Sequence, residues 1–219
     1  HGGAEGGGGD DRRADAVAEI DREQRQVAGD GDDDHGAAAD EAALGVALRI
    51  AWRTLTFAGL RGADRMRQLE RILRAERAGK GIFATVLSLA IPPEGTTITA
   101  VRAGHPGMLM HGEGSVEWVE PPGGPALGLR AGDWPPQQID LRAGCGLVLL
   151  TDGLFEGHSG RGNERLGEAG LLEIARSLAA LPGPEFVDAL IDAVESRAQA
   201  HGGISDDIAV VRVERTVNA

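Results

Sequence analysis

Aspartates in glycine-rich turns or at the ends of apolar runs recur at four places in this 219-residue chain. They are Asp10 after a run of glycines, Asp30 with Asp32, Asp33 and Asp34 ahead of His35-Gly36, Asp152 in LLTDG, and Asp206-Asp207 in SDDIAVV. Carboxylates in turns, where backbone and water also supply oxygens, suit hard cations such as Mg²⁺ or Mn²⁺. Asp-Gly is equally ordinary turn chemistry. LLTDG stands apart, because a buried strand that ends on Thr-Asp-Gly delivers its carboxylate to the rim of a sheet. The single cysteine, Cys145, excludes an internal disulfide framework and a Cys-rich zinc site, and its apolar setting reads as core or rim. Among the histidines, His35 beside the acidic run either donates a proton to a leaving oxygen or starts a helix. His105 in AGHPG reads as a hairpin-turn residue, His158 as part of a mobile loop, and His201 as a cation at a helix C-terminus. Arg161 and Arg165 in the His158 loop either meet a phosphoprotein or lie in solvent.

The charge balance narrows the partners. With 34 acidic and 22 basic side chains the net charge is -12, which argues against a protein built to grip nucleic acid or anionic lipid. Metal cations and basic protein patches remain. Eleven acidic and four basic residues lie within 1–36, so more than half of the excess falls in one sixth of the chain. At 42% hydrophobic the sequence can build a core. No apolar run approaches the ~18–20 residues of a membrane span, and no signal-peptide pattern opens the chain. The expectation is a cytoplasmic protein of one domain, 1–219, whose first 36 residues are irregular and acidic.

The elements that must position these residues follow from periodicity. Weak strand signals at Val17–Ile20 and Gln26–Ala28 flank a turn near Asp21. From Ala37, Leu44, Leu48, Ala51, Trp52 and Leu55 line one face of a helix ending near Gly59. A second helix spans about 63–78, with Met66, Leu69, Ile72 and Leu73 inward. Short strands at 83–91, 96–104, 107–112 and 115–120 look like an antiparallel meander, and 136–141 and 145–153 add two more, the last apolar enough to be central. Helices return at 167–180 and 185–199, separated at Pro182 and Pro184, and 206–215 closes the chain as a strand. Segregated strands and helices without βαβ alternation indicate an α+β fold, a four-layer α-β-β-α sandwich with two mainly antiparallel sheets between helix pairs.

The segment VLLTDGLFEGHSGRGNERLGEAGLLEIA (148–175) resembles the metal-dependent protein phosphatase family, the protein phosphatase 2C fold. The branch it is most similar to is the bacterial sporulation and stress type, which acts on anti-anti-sigma factors. FATVLSLAI followed by VRAGHPGMLM, then PPGGPALGL (121–129) and SDDIAVVRV (205–213), agree with that family in order and spacing. The resemblance covers about residues 37–215.

The resemblance implies a serine/threonine protein phosphatase using two Mn²⁺ or Mg²⁺ ions, whose bridging water attacks a phosphoserine or phosphothreonine in line. It implies metal ligation by Asp10, Asp30, Gly31, Asp152 and Asp206, with Asp30 and His35 in catalytic roles. It also implies a phosphorylated regulatory protein of the anti-anti-sigma type as substrate, and a sensor domain upstream. The near half departs from the family pattern. Asp11-Arg12 stands where the family has an aromatic pair, and four residues separate Asp30 from His35 where it has three. Either Asp30 or Asp32 therefore fills the bridging position. A phosphatase-like module that acts by binding a partner is the first rival reading, and a two-metal hydrolase of small phosphate esters the second.

Overall fold

The computed structural model describes residues 22–24, 34–77, 81–92, 96–129, 132–160, 164–201, 203 and 207–215, with side chains from residue 43 onward. Its elements run β1 (Arg22–Gln24), α1 (Asp34–Phe57), α2 (Gly62–Glu76), β2 (Phe83–Ala90), β3 (Thr97–Ala103), β4 (Met108–Gly112) and β5 (Ser115–Val119). They continue with β6 (Gln137–Asp140), β7 (Gly146–Leu150), α3 (Gly153–Glu156), α4 (Gly167–Ser177), α5 (Gly183–Gln199) and β8 (Val210–Glu214).

Period-two alternation along the strands sorts their side chains into three apolar layers. Leu87, Leu89, Ile98, Ala100, Met108, Ile139, Leu147 and Leu149 meet between the sheets, and Cys145 is buried among them. The alternate residues Ala84, Val101 and Ala103 receive Leu44, Leu48 and Trp52 of α1 and Met66, Leu69 and Leu73 of α2. On the far side, Leu109, Val116, Val148 and Leu150 pack under Leu171, Phe186, Leu190 and Val194 of α4 and α5. The result is the expected sandwich of two sheets between helix layers. All paired strands run antiparallel, in the orders β1-β2-β3-β6 and β5-β4-β7-β8.

Several sequence expectations need correction. The four strands from 83 to 120 are not one meander, because β2 and β3 belong to one sheet and β4 and β5 to the other. His105 therefore lies in the crossover between sheets and is only 1% exposed. Pro184 does not break a helix. It sits in the first turn of α5, where a missing N–H costs nothing. α3 was not anticipated, since four residues offer no periodicity to read. Near Asp21, where a turn is expected, the described segment Arg22–Gln24 pairs with Phe83–Thr85 as strand β1. The signals at 17–20 and 26–28 lie outside the described residues.

α1 stops as its sequence dictates. Gly59 takes φ +83°, and the N–H groups of Gly59 and Leu60 return to the carbonyls of Thr56 and Leu55, which closes the helix end. α2 then grips the PALGL turn. The buried Glu70 carboxylate accepts the Gly128 N–H and pairs with Arg74, while Arg77 Nη1 donates to Gly128 O at 2.6 Å and Ile82 O at 3.0 Å. Removing the acceptor strands a buried N–H, so Glu70→Ala is expected to cost about 2–3 kcal/mol in urea unfolding. Arg74→Ala, at a half-exposed cation, is expected to cost under ~1 kcal/mol.

Candidate functional site

β7 is buried along its whole length between β4 and β8, so the chain reaches the sheet rim only at Thr151. There the direction changes. Leu154 N–H returns to Thr151 O at 3.1 Å, and the N–H groups of Phe155 and Glu156 return to Asp152 O at 2.9 and 2.8 Å. Asp152 thus occupies the N-cap of α3 with φ -64° and ψ -20° and is half-buried. The turn is anchored from below by Leu154 and Phe155, which join the core beneath α4 and α5. Phe155 also meets the Trp118 ring edge-on at 6.3 Å.

The segment leading into β8 is tied to this rim by Thr151. Thr151 N–H donates to Ala209 O at 3.0 Å, its hydroxyl donates to Asp207 O at 3.1 Å, and Ala209 N–H donates to that hydroxyl at 2.9 Å. Two chain segments 56 residues apart are therefore joined at one side chain. Asp207 is exposed beside this junction.

Of the metal ligands that the resemblance implies, Asp152 is the one whose side chain is described. Asp10, Asp30, Gly31, Asp32 and Asp206 lie outside the described residues. His35 is the second residue of α1, with its side chain outside them. Among the described residues no group of three or more His, Cys, Asp or Glu side chains could hold a metal ion. The donor set at the rim is nonetheless all oxygen, with Asp152 at the strand end and Asp207 across the Thr151 junction, which fits a hard divalent cation and disfavours a soft one.

The other histidines have structural places. His105 Nδ1–H donates to Pro106 O at 2.9 Å, and its Nε2 is buried without a hydrogen-bond partner among the described residues. Burial, reinforced by the Arg102 guanidinium, pushes its pKa below the usual imidazole value. His201 Nδ1 donates to Arg197 O at 2.9 Å, the expected helix-end role. The described residues on either side of 161–163 are paired. His158 pairs with Arg165 in an antiparallel bridge, Ser159 N–H donates to Glu164 O at 2.9 Å, and Leu166 N–H donates to Gly157 O at 3.0 Å. Arg165 is exposed to solvent, yet its guanidinium is tethered at one end. Its Nη1 donates to Glu156 O at 2.9 Å, next to the Glu156 carboxylate at 3.4 Å. Arg161 lies outside the described residues.

Sequence reasoning missed His111. It lies flat on Phe186 at 3.9 Å, Nε2–H donates to Ala179 O at 3.2 Å, and Nδ1 accepts from Arg212 at 3.0 Å. The strand order β4-β7-β8 and the helices packed on it bring these groups together, so local spacing carried no signal. Burial, then the Arg212 cation, lower its pKa. His105 and His111 both resist protonation in the folded state, whereas the unfolded chain takes up protons near the ordinary value of 6.5. Stability is therefore complete above about pH 7 and falls with decreasing pH below 6.5, by up to ~1.4 kcal/mol per pH unit for each excluded proton. Urea midpoints measured from pH 7.5 to 5 are expected to show this fall, and His111→Gln to make it shallower.

Comparison with known proteins follows the same lines. A family model described as Stage II sporulation protein E (SpoIIE) matches residues 26–216. No curated protein matches the chain. Among solved structures, the RsbU and RsbW domains of a Mycobacterium tuberculosis protein align at 26% identity over 83% of this chain and 49% of that one, with a TM-score of 0.65. The PP2C domain of SiaA from Pseudomonas aeruginosa aligns at 17% identity over 90% of this chain and 80% of that one, with a TM-score of 0.67. The PP2C phosphatase domain of SpoIIE from Bacillus subtilis, with a fragment of its regulatory domain, aligns at 21% identity over 78% and 50%, with a TM-score of 0.63. The chain thus spans about half the length of the first and third of these.

Proposed function

Because the chain belongs to the Stage II sporulation protein E family, a family of PP2C-type phosphatase domains, we propose that it hydrolyses phosphoserine or phosphothreonine on a regulatory protein. The observation that carries this reading is the Thr151 junction. It ties the end of β7 to the backbone of Asp207 and Ala209, so that two motifs far apart in sequence meet at one sheet rim. Asp152 and Asp206 would hold divalent cations from this side, and Asp10, Asp30 and Gly31 from the other. Bound Mn²⁺ or Mg²⁺ would activate a water molecule for in-line attack and neutralise charge on the phosphoryl oxygens. The chain's own residues fix the carboxylates, and Leu154 and Phe155 below them keep the turn rigid. His35, at the start of α1, is placed by the proposal as proton donor to the departing seryl or threonyl oxygen. The substrate would be of the anti-anti-sigma type, as the sporulation and stress phosphatases of this branch suggest.

The test is phosphate release in millimolar Mn²⁺ from a phosphoserine protein and from p-nitrophenyl phosphate, each with an EDTA control. Turnover that requires the metal supports the reading. A second reading is favoured by the departures at Asp11-Arg12 and between Asp30 and His35: a phosphatase-like module that binds its partner without turnover. Partner binding by calorimetry with no metal-dependent release would establish it. Release from small esters alone would instead identify a small-molecule phosphohydrolase.

A further inference from the structure

We propose that Thr151 and Arg165 are positioning residues that hold the Asp152 carboxylate in place for a divalent cation, from opposite sides of its turn. The proposal rests on the reading of Asp152 as a metal ligand. On the near side, Thr151 is 6% exposed, and its hydroxyl proton and one lone pair are committed to Asp207 O and Ala209 N–H. With the backbone bond from Thr151 N–H to Ala209 O, three hydrogen bonds fix the distance between the residue before Asp152 and the residues after Asp206. A β-branched side chain has little χ1 freedom, so the hydroxyl is aimed before any ligand arrives.

On the far side, α3 is a single turn, too short to be stable alone, and its last carbonyls lack intrahelical donors. Arg165 supplies one by donating to Glu156 O, while Glu156 N–H is bonded to Asp152 O. Arg165 can do this because its own backbone is bridged to His158 and flanked by the Ser159–Glu164 and Leu166–Gly157 bonds. The chain of bonds runs from Arg165 through Glu156 to the backbone of Asp152. Partners of this kind, which touch the ligand's support and not the ion, govern metal affinity through orientation.

The test is Mn²⁺ titration of the whole chain, followed by the electron paramagnetic resonance signal of free Mn²⁺, with hydrogen exchange at the Ala209 amide as an independent readout. Thr151→Val keeps shape and removes the hydroxyl, so it is expected to weaken Mn²⁺ binding about tenfold and to deprotect Ala209. Thr151→Ser restores the hydroxyl and is expected to recover most of the affinity, which a purely steric role for Thr151 would not allow. Arg165→Ala is expected to weaken Mn²⁺ binding several-fold, while Glu156→Gln, which keeps the carbonyl acceptor, leaves it close to wild type. A folded Thr151→Val protein with wild-type Mn²⁺ affinity, or Thr151→Ser as weak as Thr151→Val, overturns the proposal. If Asp152→Asn itself binds Mn²⁺ as tightly as wild type, the ligand reading fails, and the proposal with it. Loss of Ala209 protection in Thr151→Val in that case confines the junction to a structural role.

Discussion

Asp152→Asn is expected to abolish Mn²⁺-dependent phosphate release while leaving the protein folded. The two halves of that expectation have separate causes. Asparagine matches aspartate in size, and the α3 turn is closed by backbone bonds to Thr151 O and Asp152 O with no side-chain cap, so its start and the core contacts of Leu154 and Phe155 remain. The amide, however, carries no negative charge to set against a divalent cation. Altering an outer partner of a metal ligand already costs about 10–100-fold, so loss of the ligand charge is expected to exceed ~100-fold in turnover. Circular dichroism and the urea midpoint should match wild type, with release at or near the EDTA background.

Gly104→Ala is expected to have the largest effect on stability among single methyl additions at the sheet crossover. Gly104 follows β3 with φ +65°, a region that costs a residue with a Cβ about 1–2 kcal/mol. Its Cβ would also lie 2.5 Å from the Ala126 Cβ and 2.7 Å from the Ala126 Cα and backbone nitrogen. Backbone cannot step aside as the tip of a flexible side chain can. Relief would have to come from the pair of bonds joining Gly104 N–H to Gly124 O and Gly124 N–H to Arg102 O, both 2.9 Å. Strain and overpacking together amount to about 2–5 kcal/mol, a large share of a typical domain's stability. Gly59→Ala is the control. Gly59 has a similar φ, +83°, with nothing within 4 Å of the added carbon, so only the backbone cost of about 1–2 kcal/mol should appear in its urea midpoint.

These two residues also mark what could be read from the sequence. Asp152 was legible because an apolar run ending on Thr-Asp-Gly is a local pattern. The helix stripes of Leu44, Leu48 and Trp52, and of Met66, Leu69 and Leu73, were legible for the same reason, as was the central place of β7. Which strands share a sheet was not legible. The spacing of β2 to β5 suits a meander, and the crossover at Gly104–Gly107 is decided by packing against Ala126 and Trp118, both distant in sequence. Thr151 was read as part of a motif, but its hydrogen bonds reach residues 56 or more positions away. The His111–Arg212 contact spans 101 positions and left no trace in local spacing.

The opposite holds for the acidic segment. Its surplus of aspartate was conspicuous from composition, yet Asp10, Asp30 and Gly31 belong to the proposed site on resemblance alone. In the proposed site, Asp152 and the Asp206 segment join these residues around two divalent ions. Anomalous diffraction from crystals of the Mn²⁺-loaded protein tests it most directly. Two Mn²⁺ peaks about 3.5–4 Å apart are expected at the rim beside Thr151, with Asp152 and Asp206 oxygens bound to them. Mn²⁺ absent from Asp152, or bound only at unrelated surface carboxylates, would contradict it.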